Sequence, residues 1–266
     1  MLFDVAMNTE DLHRYTIDEV GRLYTDGKDV WLPSVSTVLG MRETPEALKR
    51  WKQRQDDYDA VMSFKQNRGT LIHEAVLSQL TPQTPDGDPI KRIWGDDERN
   101  SAMELWHNDN YRGRYDEQEQ WALETFELIE MLSHIDTVVD VETFVTNTDI
   151  GYAGQFDLLY HDASTDETVL ADLKTSKACY EKHLLQLTAY KHAVPMAIDR
   201  MEVIRMNPDN RDWEVFSDDE WDEDEDELFS EFCRLRGELE QQKLHTIIDT
   251  IQDADASDDG VLREEM

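Results

Sequence analysis

Two carboxylates and one ammonium are spaced along the chain so that a β-hairpin could bring them together. Asp172 and Lys174 lie at the end of the apolar run Val169–Leu173. In a strand, side chains two residues apart share one face. Asp157 lies in an earlier apolar run, Phe156–Tyr160, and the polar turn formers between the runs predict a hairpin. Such a group at a sheet edge could hold a divalent cation beside a phosphate.

A helix is predicted after the second strand of this hairpin. Leu184 and Leu187 recur at helical spacing, and His183, Gln186 and Tyr190 follow one another at intervals of three and four residues. Side chains with this spacing lie on the same side of a helix. An amide and a phenol would therefore stand next to the end of the hairpin.

A histidine upstream could join the same group. His73 lies in the predicted amphipathic helix 70–80 and shares a face with Val76, Leu77 and Leu80. A lone histidine on an apolar helical face is usually a core residue with its hydrogen bonds satisfied. Neutral imidazole is also a common metal ligand, so both roles are open for His73 from its position alone.

The order of these residues resembles the PD-(D/E)xK nuclease superfamily, in particular its RecB/Cas4-like exonuclease branch. The residues that carry the resemblance are Gly69 to His73 in G-T-x-x-H, Gly154 and Asp157 in G-x-x-D, Asp172 to Ser176 in D-x-K-T-S, and Gln186 and Tyr190 in Q-x-x-x-Y. D-x-K alone arises by chance in a charged chain, whereas the ordered set is a much stronger signal. The resemblance covers roughly residues 31–216.

The resemblance implies hydrolysis of phosphodiester bonds in DNA with Mg²⁺ or Mn²⁺. Asp157 and Asp172 would hold the ion, with His73 and the backbone carbonyl of Leu173 as further ligands. In related nucleases a glutamate just before the G-x-x-D strand sometimes joins the site, which makes Glu142 a second-tier candidate. Glu142 could equally be an outward-facing residue of an acidic strand.

The remaining catalytic residues implied by the resemblance are Lys174, Gln186 and Tyr190. Lys174 would orient or deprotonate the attacking water, or neutralise developing charge. Gln186 would position the water or a phosphate, and Tyr190 would contact the DNA backbone or brace its helix. The alternative is a common salt bridge between Asp172 and Lys174, of little energetic value, and a helix surface pair without function.

Two rival functions belong to other classes or subclasses. One is a catalytically inactive nucleic-acid-binding or scaffolding relative, against which the intact Asp157, Asp172 and Lys174 argue. The other is a structure-specific or restriction endonuclease of the same superfamily. The expected role is a DNA nuclease, and more specifically an exonuclease, in DNA processing, recombination or repair.

The two cysteines separate this chain from one well-known group of the branch. Cys179 and Cys233 form no C-x-x-C pair and indicate a reducing compartment without a disulfide framework. Cas4 proteins carry a cysteine-held iron–sulfur cluster, and two cysteines cannot supply four ligands. We therefore expect no iron–sulfur cluster, which argues against a true Cas4.

The elements needed to position these residues predict an α/β fold, a restriction-endonuclease-like core with a mixed central β-sheet flanked by helices. We expect an N-terminal extension over 1–30, a nuclease domain with a helical first part over 31–216, and an acidic C-terminal helix and tail over 217–266. Besides the central hairpin and its helices, the predicted elements are a small β-like N-terminal element, a helix capped by Ser34, a charged helix over Ala47–Asp57, a loop over Thr81–Gly95, helices over Glu98–His107 and Glu117–Ser133, a strand over Thr137–Val145, a hairpin of Met201–Met206 and Trp213–Phe216, and an apolar helical face over Leu228–Leu239.

The composition indicates adaptation to salt. Among 266 residues, 26 are Lys or Arg and 60 are Asp or Glu, which gives a net charge of −34. The charge is spread over the whole length, and this favours a haloadapted surface over a mesophilic acidic protein with a charged tail. Molar salt would screen the self-repulsion of such a surface.

A chain of this charge should repel DNA in dilute salt, because phosphate contacts depend on lysine and arginine. Local basic clusters occur at Lys49–Arg54, at Lys65 with Arg68, and at Lys91–Arg92, and each is either a strand-binding surface or scattered surface charge. We expect DNA, single-stranded or with ends, as the partner, together with recombination or replication proteins. Without a signal peptide or an apolar run of spanning length, we expect no membrane association and a cytoplasmic location in a haloarchaeal or haloarchaeal-virus-infected cell.

Overall fold

A computed structural model describes residues 12–17, 21–26, 30–54, 58–77, 80, 135–207, 212–249 and 262–265. The loop predicted over Thr81–Gly95, the helices predicted over Glu98–His107 and Glu117–Ser133, and the basic pair Lys91–Arg92 lie outside the described residues.

The strands of the described residues form two sheets. Their bounds are β1 His13–Ile17, β2 Gly21–Thr25, β3 Trp31–Pro33, β4 Ile135–Asn147, β5 Tyr152–Asp162, β6 Glu167–Lys174, β7 Arg200–Asn207, β8 Asp212–Ser217 and β9 Leu262–Glu265. The larger sheet is five-stranded in the order β4-β5-β6-β7-β8, and the smaller has the order β3-β2-β1-β9. In the larger sheet β6 and β7 are parallel and the other neighbours antiparallel.

The helices flank these sheets. Their bounds are α1 Val35–Leu39, α2 Glu46–Gln53, α3 Tyr58–Leu77, α4 Glu181–Lys191 and α5 Glu225–Leu239, with a 3₁₀ turn at Asp218–Glu220 and a π-helical stretch at Glu240–Leu244. The predicted α/β class with a mixed sheet flanked by helices is confirmed at this level. None of the helices in the described part of the chain combines the length and the apolar character needed to cross a membrane.

The predicted central hairpin is formed by β5 and β6. The two strands pair from Asp162↔Glu167 to Leu158↔Ala171. Asp162 closes the turn, because its Oδ1 accepts hydrogen bonds from the backbone N–H of Ser164 at 2.9 Å and from the Ser164 hydroxyl at 2.6 Å. These are the local side-chain contacts for which Asp and Ser are favoured in turns.

A helical crossover joins the two parallel strands. Parallel neighbours need such a connection, and α4 supplies it between β6 and β7. The register pairs Asp172 with Val203 and Lys174 with Arg205. The D-x-K segment therefore lies on an interior strand of the sheet. After the C-terminal end of β6 the chain continues to α4.

Two apolar cores cover the two faces of the larger sheet. One includes Leu170 of β6 together with buried residues of α1, α4 and α5. The other includes Leu173 of β6 together with Ile72 and Val76 of α3. Because side chains alternate along a strand, Asp172 lies on the face of Leu170, the face covered by α4.

Contacts of the smaller sheet and of α5 cross the domain boundaries predicted at residues 30 and 216. β2 lies before residue 30 and pairs with β3 after it, and α5 lies after residue 216 and packs against α4 and α1. The helix predicted over Leu228–Leu239 is confirmed and begins at Glu225. The predicted N-terminal β-element is also present, whereas the tail beyond residue 249 contributes β9, which no pattern in the sequence indicated. The domain boundaries at 30 and 216 stay predictions.

Candidate active site at the parting of β5 and β6

The backbone ladder between β5 and β6 ends beside Asp157. The last backbone pair is Leu158↔Ala171, and Asp157 Oδ2 then accepts the backbone N–H of Leu173 at 2.6 Å. Phe156 and Leu158 belong to different cores, although alternation would place them on one face. The regular strand is therefore interrupted at Asp157, where a carboxylate replaces the backbone carbonyl of the ladder.

Asp172 is the most buried acid of the site. It is 1% exposed, and neither carboxylate oxygen accepts a hydrogen bond of normal geometry. The Lys174 ammonium forms an ion pair with its Oδ2. Burial raises the pKa of Asp172 to about 6, against the lowering effect of Lys174 and with a further upward contribution from Asp157. A buried carboxylate without a full set of donors is a site at which a cation would be stabilised.

Asp157 and Asp172 form a coupled pair, which we call the carboxylate pair. Burial is also the largest cause that raises the pKa of Asp157, while Lys174 and the Leu173 N–H oppose it. Each acid contributes to the pKa of the other. The structure thus brings together the two carboxylates that the sequence placed on neighbouring strands, with Lys174 beside them.

His73 approaches the carboxylate pair from α3. Its Nδ1 lies 3.6 Å from Asp157 Oδ2, and its side chain is 25% exposed. Burial, followed by the Lys174 ammonium, lowers the pKa of His73 to about 4, so the imidazole is neutral at pH 7. Gly69 permits this approach of α3, because a Cβ there would lie 3.1 Å from Thr175 Oγ1 at the end of β6.

Glu142 lies on the edge strand β4, beside the site but outside its centre. Its neighbours pair with Phe156 and Leu158, which places Glu142 opposite Asp157. Its side chain is exposed and its φ is 50°, a left-handed value uncommon for glutamate. Gln155 Nε2 donates to its backbone carbonyl at 2.6 Å. The carboxylate is near enough to raise the pKa of Asp157, although it is a minor cause.

Gln186 and Tyr190 are brought together on α4 as their spacing predicted. Gln186 Nε2 donates to the Tyr190 hydroxyl at 2.9 Å. Burial and the nearby Asp172 raise the pKa of Tyr190, which stays protonated. The glycine of G-x-x-D has a packing role here, since a Cβ on Gly154 would lie 2.5 Å from Tyr190 Cε1.

The donor chemistry of the site suits a hard divalent cation. The described residues contain no group of three or more His, Cys, Asp and Glu side chains arranged to hold a metal ion. Mg²⁺, however, commonly uses only one or two carboxylates and completes its octahedron with water and phosphate oxygens. The two buried oxygens of Asp172, of which only Oδ2 has a partner in the Lys174 ammonium, can serve as such a carboxylate ligand. The Leu173 carbonyl accepts Lys174 Nζ at 3.2 Å and so lies at the same place.

Three residues that the motifs did not include lie next to site residues in sequence or in strand register. Lys182 lies four residues before Gln186, a spacing that would have indicated a shared helix face. Tyr180 precedes α4 and is 51% exposed. Arg205, paired in register with Lys174, donates to the Lys177 carbonyl at 3.3 Å and so holds the segment between β6 and α4. The role of Arg205 depends on contacts between residues that are far apart in the sequence, and the spacing of residue types along the chain does not predict such contacts.

Comparisons with known proteins leave the family of this chain open. No protein-family model and no curated protein matches it. Among solved structures it is similar to the crystal structure of SSO0001, at 12% identity over 65% of this chain and 74% of that chain, with a TM-score of 0.32.

Proposed function

We propose that this chain is a metal-dependent DNA nuclease with a restriction-endonuclease-like core of the PD-(D/E)xK type. The observation that carries the proposal is the convergence of Asp157, Asp172, Lys174 and His73 where β5 and β6 part. An ordinary surface salt bridge would be exposed and would need no second acid. Here the acid is 1% exposed and interacts with a second, half-buried carboxylate.

The carboxylate pair would hold Mg²⁺ or Mn²⁺, with the Leu173 carbonyl and His73 as further ligands. When bound, such an ion polarises a scissile phosphate and lowers the pKa of water. Neutral His73 can act as a ligand because burial prevents its protonation at pH 7. The protein itself would supply the carboxylate oxygens, which the adjacent strands β5 and β6 hold near each other.

Lys174 is placed to act on the attacking water and on developing negative charge. Its side chain is 17% exposed and lies between an Asp172 oxygen and the Leu173 carbonyl. Held by these two acceptors, the ammonium retains a third donor for a water or a phosphate oxygen. It would orient the water by a hydrogen bond and stabilise charge on the phosphorus centre.

Gln186 and Tyr190 support this arrangement from α4. Since Gln186 donates its amide N–H to the tyrosine hydroxyl, its carbonyl oxygen can accept a hydrogen bond from the attacking water. Tyr190, 5% exposed, braces the helix against Gly154 and fixes the distance between α4 and β5.

The direct test is hydrolysis of labelled DNA in Mn²⁺ and molar KCl. The substrates are a linear duplex, a single strand of the same sequence and a closed circle. We expect Mn²⁺-dependent cleavage of the linear substrates and intact circles, with mononucleotides or short products from an end. Cleavage of the circle would indicate an endonuclease of the same superfamily. Failure to cleave any substrate with Mn²⁺ or Mg²⁺ would reject the proposed function.

Lys174→Ala should abolish this hydrolysis, with a loss of at least about 100-fold in kcat, because orientation and electrostatic stabilisation are both removed. The variant should remain folded, since the buried Asp172 carboxyl can take up a proton when its ammonium partner is absent. Lys191→Ala is the matched control, because Lys191 pairs with Glu225 at 2.8 Å at the other end of α4. Near-native cleavage by Lys174→Ala, with the circular dichroism spectrum unchanged, would remove Lys174 from the mechanism.

A further inference from the structure

A large aromatic side chain is exposed at the start of α4, the helix that carries Gln186 and Tyr190. Tyr180 is 51% exposed and immediately precedes α4. Its orientation is nevertheless fixed, because its ring meets His183 edge-on with centroids 5.4 Å apart. Its backbone N–H also donates to His183 Nδ1 at 3.2 Å. An exposed ring that is held in place loses little conformational entropy on binding a flat partner.

An uncompensated cation lies two residues further on. The side chain of Lys182 is exposed, and no described residue forms an ion pair with it. It lies in the first turn of α4, one residue before the buried His183 and four residues before Gln186. The adjacent acid, Glu181, is already paired with Arg42 at 2.7 Å. In a chain of net charge −34, this small surface therefore presents positive charge next to the carboxylate pair.

We propose that Tyr180 and Lys182 bind single-stranded DNA next to the scissile phosphate, with a base stacked on the Tyr180 ring and a neighbouring phosphate on the Lys182 ammonium. The inference rests on the proposed function and names its substrate class. Ring faces of bases are free in a single strand or a frayed end and are covered in a duplex. An aromatic ring beside a cation is the combination by which proteins bind single strands without reading sequence.

The stacking is tested by binding of a fluorescent single strand and of its duplex, with Ca²⁺ in place of Mn²⁺ so that binding is measured without turnover. Tyr180→Ala should weaken single-strand binding about 5- to 100-fold, as expected for the loss of one stacked base, and change duplex binding less than about twofold. Tyr180→Phe and Tyr180→Trp should retain single-strand affinity. Met196→Ala is the matched control, since Met196 is another exposed apolar side chain, at 45% exposure.

The phosphate contact is tested by salt dependence. Lys182→Gln should reduce the slope of log Kd against log salt for the single strand by about 0.7, the value for one neutralised phosphate. Lys243→Gln, a change at an exposed lysine of the π-helical stretch, should leave the slope unchanged.

Two outcomes separate this inference from the proposed function. Wild-type single-strand affinity in Tyr180→Ala, or equal losses for single strand and duplex, would overturn the inference while leaving nuclease activity standing. For an abasic oligonucleotide, which has phosphodiester bonds but no bases to stack, kcat with Mn²⁺ should be the same in Tyr180→Ala and wild type. A wild-type protein that binds no single strand overturns the inference, and one that binds but never cleaves rejects the nuclease proposal alone.

Discussion

The Asp172 carboxylate makes the folded protein less stable at neutral pH. Its pKa in the folded state, about 6, lies above the ordinary value of 3.8 because the group is buried. The free-energy cost of ionising Asp172 in the folded protein is therefore absent below the pKa of the unfolded state, where the group is protonated in both states. The cost is complete above about pH 6, where the group is ionised in both states. A buried charge of this kind is typical of positions kept for chemistry rather than for stability.

Asp172→Asn should consequently separate stability from metal binding. In EDTA at pH 7 the variant should melt at a higher temperature than wild type, because the ionisation cost disappears while the shape is kept. Titration calorimetry should show weaker Mn²⁺ binding, by about tenfold or more, because a charged ligand is lost. Asp149→Asn, at an exposed turn residue, is the control for a simple change of net charge. Unchanged Mn²⁺ affinity would contradict the ligand role of Asp172.

Among the elements, the contact between β5 and α4 determines where Gln186 and Tyr190 lie. This contact depends on the absence of a side chain at Gly154, where a Cβ would lie 2.5 Å from Tyr190 Cε1 and 3.1 Å from Val35 Cγ2. Both neighbours are buried, so neither can move without repacking the core.

Gly154→Ala should therefore destabilise the protein by roughly 1–3 kcal/mol and lower cleavage through displacement of α4. Gly237→Ala is a matched control, because a Cβ there meets nothing within 4 Å and the residue lies inside α5. That variant should be stabilised by up to about 1 kcal/mol. Chemical denaturation and the DNA assay measure the two effects, and equal stability of the two variants would contradict the packing role of Gly154.

The far end of the β5–β6 hairpin is held by a buried ion pair. Arg200 of β7 contacts Asp162 at 2.6 Å, Glu167 at 3.0 Å and Glu202 at 3.2 Å. Burial alone would raise the pKa of Asp162, but hydrogen bonds from Ser164 and Arg200 hold it well below its usual range. The Asp162 carboxylate therefore stabilises the fold above the unfolded pKa, and this contribution is lost as pH falls.

Asp162→Asn should cost stability at pH 6, and the difference from wild type should shrink progressively between about pH 5 and pH 2. Urea denaturation of both proteins at several pH values measures it. Asp149→Asn, a change at an exposed residue of another turn, is the control. A difference between Asp162→Asn and wild type that is independent of pH would mean that the Asp162 charge is not what stabilises this end of the hairpin.

Local patterns predicted the elements of the site better than its packing. The β5–β6 hairpin, the α4 spacing and the Ser34 cap, which accepts the Thr37 N–H at 3.1 Å, each depend on neighbouring residues. The left-handed backbone of Glu142 and the exposed Tyr180 depend instead on how separate elements meet. Such long-range contacts leave no periodic trace in a single sequence.

Across the whole molecule, net charge opposes both folding and DNA binding at low ionic strength. The chain carries −34 at pH 7. The Debye length falls from about 10 Å at 0.1 M to about 3 Å at 1 M salt, so repulsion between neighbouring surface acids is largely removed at molar salt. The proposed contact between Lys182 and a DNA phosphate is then opposed less by the negative charge of the rest of the surface.

The melting temperature should therefore rise as KCl increases from 0.1 M to molar concentrations. NaCl should act similarly, whereas sucrose at equal osmolality, which leaves charges unscreened, should not reproduce the ionic part of the effect. Differential scanning calorimetry provides the measurement. Equal melting temperatures at low and high KCl would contradict the haloadapted interpretation of the surface.

The hydrogen bond from the Leu173 amide to Asp157 gives the molecule an intrinsic reporter. Any ion drawn to that carboxylate withdraws electron density from the acceptor of this one amide proton. In a nuclear magnetic resonance spectrum, the Leu173 amide signal should therefore move as the pocket fills, without a dye, a substrate or a substituted residue. The chemical shift of this backbone amide therefore reports whether an ion is bound at the carboxylate pair.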